Sequence, residues 1–255
     1  MRRALCETLP LHPGSLVSLD EAESKHLSSV LRMGPGDEVE LLDGKGYKAK
    51  AELVFKNKKV FANTTEAPST DARFISVPIH LTVGIIKGEA MEWLVEKAVE
   101  LGVRSFTPME AEFSVIKIHK RGAETFQDRW QRIADQAIKQ CGRLDRLKIN
   151  TPILFEEALQ NEHHFIWLNE TLAETGNRED HLSQVLRQLE ARGEYTLLVG
   201  PEGGFSPSER ARLSHLVASG KHAITQAGLG SIVLRAETAA LMGLSILIGD
   251  YYGKK

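Results

Sequence analysis

The chain has 255 residues, 42% hydrophobic and 26% charged, and its 32 Lys and Arg against 34 Asp and Glu leave a formal net charge of −2. This is an ordinary globular composition with enough apolar material for a core, and it excludes a polycation that would hold nucleic acid by bulk charge alone. The length allows one large domain or two smaller ones.

Charge is unevenly spread. Residues 1–72 carry ten Lys/Arg and eleven Asp/Glu, residues 73–150 thirteen against ten, and residues 151–255 nine against thirteen. The middle third is the basic one, a modest surplus that could meet phosphates. Met1-Arg2-Arg3 and the mixed stretch to Pro10 do not read as a signal peptide, and the longest apolar stretch, near Leu241 to Ile248, is too short to span a bilayer. A soluble cytoplasmic chain is expected. Cys6 and Cys141 form no Cys-x-x-Cys pair, so they read as two reduced thiols.

In chain order, the first seventy residues read as β. Leu16 to Leu19 is a short strand, and Asp20 to Leu31 is helical, with Ala22, Leu27, Val30 and Leu31 apolar. Asp37 to Leu42 is a second strand, Asp43-Gly44 a turn, and Tyr47 to Phe55 alternates in polarity before Lys58 to Thr64. Strands at this spacing predict a small barrel over residues 1–72, with the Pro68-containing stretch from Glu66 to Arg73 as linker.

Beyond it the rhythm alternates between strand and helix. Ile79 to Ile86 predicts a strand, Met91 to Leu101 a helix with Gly102 at its C-terminus, and Val103 to Thr107 a strand. Phe126 to Cys141 predicts a long amphipathic helix, Phe165 to Leu168 a strand, and Asp180 the cap of a helix running to Arg192. Tyr195 to Val199 is a strand. Ser206-Pro207-Ser208-Glu209 is a capping box with proline at the first helical position, and a last helix runs from Ala236 to Ile248. This alternation over residues 73–255 predicts an α/β domain with a mostly parallel sheet.

Two segments carry chemistry. Gly200-Pro201-Glu202-Gly203-Gly204-Phe205-Ser206 follows an apolar strand and precedes a capped helix, where glycines let backbone approach a ligand at the end of the strands. It is neither a P-loop nor Gly-x-Gly-x-x-Gly, and a tight strand-to-helix turn explains it about as well. Gly228-Leu229-Gly230 and the run Ser231 to Ala240 could form a second wall, or an ordinary loop with an ion pair between Arg235 and Glu237. The nine histidines show no ligand spacing, and His163 and His164 point apart on any strand, so no metal is expected. No Ser/His/Asp or Cys/His set supports a hydrolase.

Five segments together resemble one family: His26-x-x-x-Val30-Leu31-Arg32, Lys87-Gly88-Glu89 with Glu100-Leu101-Gly102-Val103, Gln140-Cys141-Gly142-Arg143, the loop Gly200 to Ser206, and Leu234-Arg235-Ala236-Glu237-Thr238-Ala239. In this order they look like the RsmE family, which methylates N3 of one uridine in the decoding region of 16S ribosomal RNA. The resemblance implies a PUA-like RNA-binding β-barrel over 1–72 and a SPOUT methyltransferase domain with a C-terminal trefoil knot over 73–255. It also implies a homodimer and S-adenosylmethionine as cofactor. The physics of chain threading would not by itself predict a knot.

Carried onto this sequence, the resemblance places the cofactor among Leu198, Gly200, Pro201, Glu202, Gly203, Gly204, Leu229, Gly230, Ile232 and Leu234. Glu237 or Glu202 would accept the uridine N3 proton and Arg235 would stabilise the resulting anion, although each could instead hold the knot or the dimer. Arg2, Arg3, His26, Arg32, Lys87 and Arg143 would contact the small-subunit RNA, the last two from the catalytic domain. A SPOUT enzyme acting on a ribose 2′-hydroxyl and a non-catalytic ribosome-assembly factor remain the alternatives.

Overall fold

Val39, Leu41, Ala49, Ala51 and Leu53 alternate with charged or polar neighbours, which in an extended chain directs all of them to one face. In the computed structural model these residues are buried together, with Ala4, Val17, Leu27, Val60 and Ala62, in the core of an N-terminal sheet. The structure describes residues 1–57, 59–117, 122–160, 163–189, 194–220 and 223–254.

The chain forms two compact units. The first comprises Met1–Ser76 together with Asp135–Arg146, and the second Val77–Ala134 with Leu147–Lys255. The first unit therefore extends four residues past position 72 and takes in a segment far along the chain, which a contiguous division of the sequence does not anticipate.

The first unit contains β1 (Arg2–Leu5), β2 (Leu16–Ser18), α1 (Glu21–Lys25) with a π-helical turn at His26–Val30, β3 (Glu38–Leu42), β4 (Lys48–Lys56) and β5 (Lys59–Thr64). Its sheet has the order β1-β3-β4-β5-β2. β1 runs parallel to β3, and the other neighbours are antiparallel. Strand β1 was not predicted, because four residues that include two arginines show no usable period; its pairing with β3 is what makes it a strand. Asp20 caps α1 by accepting the Glu23 N–H at 2.7 Å. Arg32, at φ +54°, ends the helical stretch in left-handed backbone.

Polar contacts explain why 135–146 belongs here. Arg3 donates to Glu40 through Nε at 2.9 Å and to the carbonyls of Lys139 and Gln140 through Nη1 at 3.0 Å. Lys139 pairs with Glu23, both buried. Leu144 N–H donates to Phe74 O, and Arg146 N–H to Gly44 O. Arg143, only 5% exposed, is paired with Asp145, whose carboxylate also accepts the Ser76 N–H.

The second unit begins with β6 (Ile79–Gly84), α2 (Gly88–Glu100), β7 (Ser105–Glu110), α3 (Ala123–Cys141, its last turns grouped with the first unit) and β8 (Lys148–Ile149). Next come β9 (Ile153–Leu154), α4 (Phe155–Ala158), β10 (His164–Leu168), α5 (Leu172–Thr175) and α6 (Leu182–Gln188). It ends with β11 (Tyr195–Val199), α7 (Pro207–Ser219), β12 (Ile224–Ala227) and α8 (Ala236–Gly253). The sheet has seven strands, ordered β12-β10-β11-β6-β7-β8 with β9 also on β7, and every pairing is parallel.

β6 is buried at every position from Ile79 to Gly84, as expected for a strand covered on both faces, and Ile85 and Ile86 just beyond it are fully buried as well. Each such side chain contributes about 1.5–3 kcal/mol on burial. On α2 the predicted stripe of Met91, Leu94, Val95, Ala98 and Val99 is the buried one. The capping box opens α7 as expected, with Ser206 accepting the Glu209 N–H and Glu209 accepting the Ser206 N–H. His181, rather than Asp180, caps α6, because Asp180 closes a preceding 3-10 turn, and the helix ends at Gln188, where Leu189 turns extended, short of the expected Arg192. Helix α8 packs close to the sheet because of Gly243, where an added Cβ would lie 2.8 Å from Leu197 Cδ2 and 3.0 Å from Leu168 Cδ1. A glycine in mid-helix costs about 1 kcal/mol against alanine, a cost this close approach offsets. Among the described residues no helix is long and apolar enough to cross a membrane.

Candidate functional site

The site is built from the returns that follow β10, β11 and β12. β11 is buried from Thr196 through Val199 and delivers the chain to Gly200 at the carboxyl edge of the sheet, where ligands of open α/β sheets bind. Phe205, fully buried against Phe155 with ring centroids 5.6 Å apart, anchors the far side of the Gly200–Gly204 loop in the core. Gly200 gives Phe205 room, since a Cβ there would lie 3.3 Å from the Phe205 ring and backbone nitrogen. Below the loop, Gly84 ends β6 against Pro201, where an added Cβ would sit 2.3 Å from the Pro201 nitrogen.

A cavity of about 230 Å³ lies between these returns. Val199 to Gly204 form one wall, Ala227 to Gly230 and Ile232 to Leu234 a second, and Leu168, Asn169, Glu170 and Ala173 a third; Ala236 and Ala239 of α8 close the floor. Much of this lining is backbone of small residues, so its recognition groups are mainly peptide N–H and C=O. The charged side chains on it are Glu170 and Glu202. Arg210 holds Glu170 at 3.5 Å and donates to Phe205 O at 2.8 Å. Glu202 Oε1 accepts the Lys87 N–H at 2.9 Å. Asn169 Nδ2 donates to Gln226, and its Oδ1 accepts from Thr171, which fixes the turn after β10.

The structure brings together most of the residues expected to hold a cofactor. Gly200, Pro201, Glu202, Gly203, Gly204, Leu229, Gly230, Ile232 and Leu234 all line the cavity. Leu198 does not. It faces the opposite side of β11, in a core cluster with Trp167, Phe205 and Leu213, and its neighbour Val199 lines the cavity instead. The wall from Leu168 to Ala173 was missed. Its one legible signal was position, directly beyond an apolar strand in a predicted parallel sheet.

Of the residues expected to act on the base, only Glu202 is on the cavity wall. Arg235 is exposed at the N-cap of α8, and Glu237 is half-buried in the first turn, each beside lining residues without being one. Of the expected RNA contacts, Arg2, Arg32 and Lys87 are exposed and His26 is partly so. Arg143 is buried and paired with Asp145, and Arg3, partly buried, is committed to Glu40 and two carbonyls; both belong to the first unit, so Arg143 is not on the catalytic unit. The resemblance offered both as phosphate contacts; the partners of Arg3 lie 37 to 137 residues away in sequence, while Arg143 turns onto Asp145 two residues on.

Residues 75–248 match the RNA methyltransferase domain family, and residues 19–62 match the RNA methyltransferase PUA domain. The chain is 28% identical over 232 residues to a Bacillus subtilis protein named ribosomal RNA small subunit methyltransferase E, spanning 90% of this chain and 88% of that one. A ribosomal RNA small subunit methyltransferase E from Neisseria gonorrhoeae, solved bound to S-adenosyl methionine, superposes with a TM-score of 0.79 at 27% identity, covering 97% of this chain and 96% of that chain. A Legionella pneumophila protein solved with the cofactor SAM gives 0.80 at 29% identity, again covering 97% and 96%. A parallel α/β unit with a cavity walled by strand-end loops, and a family match over residues 75–248, make this chain a member of the RNA methyltransferase family.

Proposed function

We propose that the protein is an S-adenosylmethionine-dependent methyltransferase that modifies N3 of one uridine in the 16S RNA of the small ribosomal subunit, and that it works as a homodimer in the cytoplasm. The observation that carries this reading is the cavity whose walls are the strand-end returns after β10, β11 and β12. Its backbone lining suits an adenosine read by peptide groups, and its apolar patches at Leu168, Val199 and Leu234 suit the rings. Glu170 and Glu202 make the wall acidic, which suits a ligand bearing a sulfonium and an ammonium. The knot expected from the resemblance belongs to the same reading, supported by three returns converging on one cavity.

When bound, the cofactor supplies an electrophilic methyl group. The chain must then hold the uracil with N3 in line with that methyl, and must manage the N3 proton. We assign Arg235 to the negative charge that spreads onto the two carbonyl oxygens flanking N3 as the proton leaves, and Glu237 or Glu202 to accept the proton. Glu202 is the more constrained of the two, since Oε1 is already committed to Lys87 and Oε2 would be the acceptor. Arg2, His26 and Arg32 on the first unit and Lys87 on the second are the proposed RNA contacts. Ile232 and Val233, 77% and 68% exposed on the rim of the cavity, support a partner subunit that covers them.

The test is label transfer from S-adenosylmethionine to small subunits purified from a strain lacking the gene, followed by digestion to nucleosides. The expected product is N3-methyluridine. A 2′-O-methylated nucleoside would move the reaction to the ribose. No transfer, together with no calorimetric binding of the cofactor, would leave a non-catalytic assembly factor.

A further inference from the structure

At the amino-terminal edge of the parallel sheet, away from the cavity, a second constellation forms that the RNA reaction does not use. The strand register creates it. His164 of β10 pairs with Tyr195 of β11, and Thr196 pairs with His80 of β6, which in turn pairs with Ser105 of β7. His163 and Glu194, each one residue before its strand, are thereby placed beside His80. We propose that His80, His163 and Glu194 form a binding site for a divalent transition-metal ion, zinc being the best fit to two imidazoles and one carboxylate.

Four observations carry this. First, one ligand atom from each residue lies within 4.8 Å of the others. Glu194 Oε2 is 2.9 Å from His163 Nε2 and 3.9 Å from His80 Nε2, so the two ring nitrogens converge on one oxygen. Zinc bonds of about 2.0–2.2 Å to nitrogen and oxygen need only small side-chain movements from there. Second, His80 Nε2 is buried and makes no hydrogen bond, an expensive state for a polar atom unless something occupies its lone pair or takes its proton.

Third, the remaining atoms are held as in an oriented ligand set. His80 Nδ1 lies 2.6 Å from Ser105 Oγ and His163 Nδ1 lies 3.3 Å from Thr196 Oγ1, so each ring uses its other nitrogen on a hydroxyl and turns Nε2 inward. Arg104 is bound to Glu194 through Oε1, which leaves Oε2 for the ion. Fourth, access suits ligation. Glu194 and His163 are 41% and 25% exposed, so an ion could enter and a water could complete the fourth position.

A purely structural reading makes a different prediction. In it, His163 and Glu194 are an ion pair with His80 stacked beside them, ring centroids 4.2 Å apart. The charged groups facing the cluster are Arg104 and Lys148, which favour the carboxylate but do not supply the missing partner of His80. The ligands come from residues 80, 163 and 194, so no local spacing in the sequence could have revealed them.

The experiment titrates the full-length protein, stripped with a chelator, with Zn²⁺ by calorimetry and with Co²⁺ by visible absorption. Wild type should bind one ion per chain, give the intense bands of low-coordinate cobalt, and rise in Tm with zinc. His163→Ala and Glu194→Gln should each lose at least tenfold in affinity and lose the cobalt bands, with far-UV circular dichroism confirming that both remain folded. Cys141→Ser should behave as wild type. No binding by wild type, affinity unchanged in both variants, or loss of the site in Cys141→Ser would overturn the proposal. Cofactor binding at the cavity is a separate readout, so failure here leaves the proposed RNA reaction standing.

Discussion

The carboxylate of Glu202 accepts the backbone N–H of Lys87 at 2.9 Å, joining the loop after β11 to the residue that caps α2. A residue that the sequence offers as a proton acceptor is thus also a strut. One of its oxygens fixes the wall of the cavity and satisfies an amide beside the open end of a helix, where a carboxylate is electrostatically favoured.

This dual position separates two substitutions. Glu202→Gln retains an oxygen for the Lys87 N–H, whereas Glu202→Ala loses it, with a loss of about 1 kcal/mol in stability and a loosened cavity wall. We expect Ala to weaken S-adenosylmethionine binding about tenfold and Gln to restore most of that affinity, both read by calorimetry. If Gln fails as badly as Ala in affinity, the charge rather than the strut is what matters. A hundredfold fall in kcat for both variants at unchanged affinity would instead make Glu202 the proton acceptor.

Gly84 is the tightest steric constraint beneath the cavity. An added Cβ would meet Pro201 backbone at 2.3 and 2.8 Å, atoms that cannot retreat without moving the loop. Gly84→Ala should cost about 1–3 kcal/mol in urea denaturation and reduce cofactor affinity more than tenfold. Gly203→Ala is the milder comparison, since its Cβ would lie 2.9 Å from the Phe113 side chain, and Gly203→Val adds further bulk on the cavity wall. Equal affinity for wild type and Gly84→Ala would show that the loop does not govern the pocket.

Arg143 is buried and depends on Asp145, with Nε to Oδ1 at 3.0 Å. Asp145→Ala removes the carboxylate beside that buried guanidinium and should destabilise the protein by about 3 kcal/mol. Burial tends to raise the Asp145 pKa, but hydrogen bonds and charge from Arg143, with hydrogen bonds from Ser76, outweigh it and hold the carboxyl below its ordinary 3.8. A depressed folded pKa stabilises the fold above the unfolded value and loses that contribution as pH falls through the folded one. The difference between wild type and Asp145→Ala should therefore be full at pH 7 and shrink below pH 3.8, measured by urea midpoints across that range.

The exposed and the committed arginines of the first unit should part in an RNA titration. Arg32→Ala should weaken RNA binding and lower the slope of log K against log salt by about 1, with cofactor affinity unchanged. Arg3→Ala should instead lower thermal stability, because its guanidinium bonds Glu40 and the carbonyls of Lys139 and Gln140. A salt slope for Arg32→Ala equal to wild type would remove Arg32 from the RNA footprint.

Local chemistry made much of the architecture legible. The stripe on α2, the box opening α7 and the alternation of β3 and β4 are each written within a few neighbouring residues, because periodicity and capping act over one or two turns. The glycine loop at 200–204 was legible for the same reason, and the structure places it on the cavity wall. Strands β1 and β12 were not. Ile224-Thr225-Gln226-Ala227 has one large apolar residue, and its extended state is set by pairing with β10.

What only tertiary structure decided is which side chains meet. Val199 rather than Leu198 faces the cavity because β11 is paired on both sides, and a two-residue period then assigns opposite faces to neighbours. Arg3 and Arg143 took up partners that only the fold supplies, in other elements for Arg3 and across a turn for Arg143, and His80 found His163 and Glu194 only when parallel strands aligned. Elements depend on interactions that decay within a turn of chain, which a sequence displays. Pairing of charges and ligands depends on distances between segments that are remote in sequence, and those exist only once the sheet has closed its register.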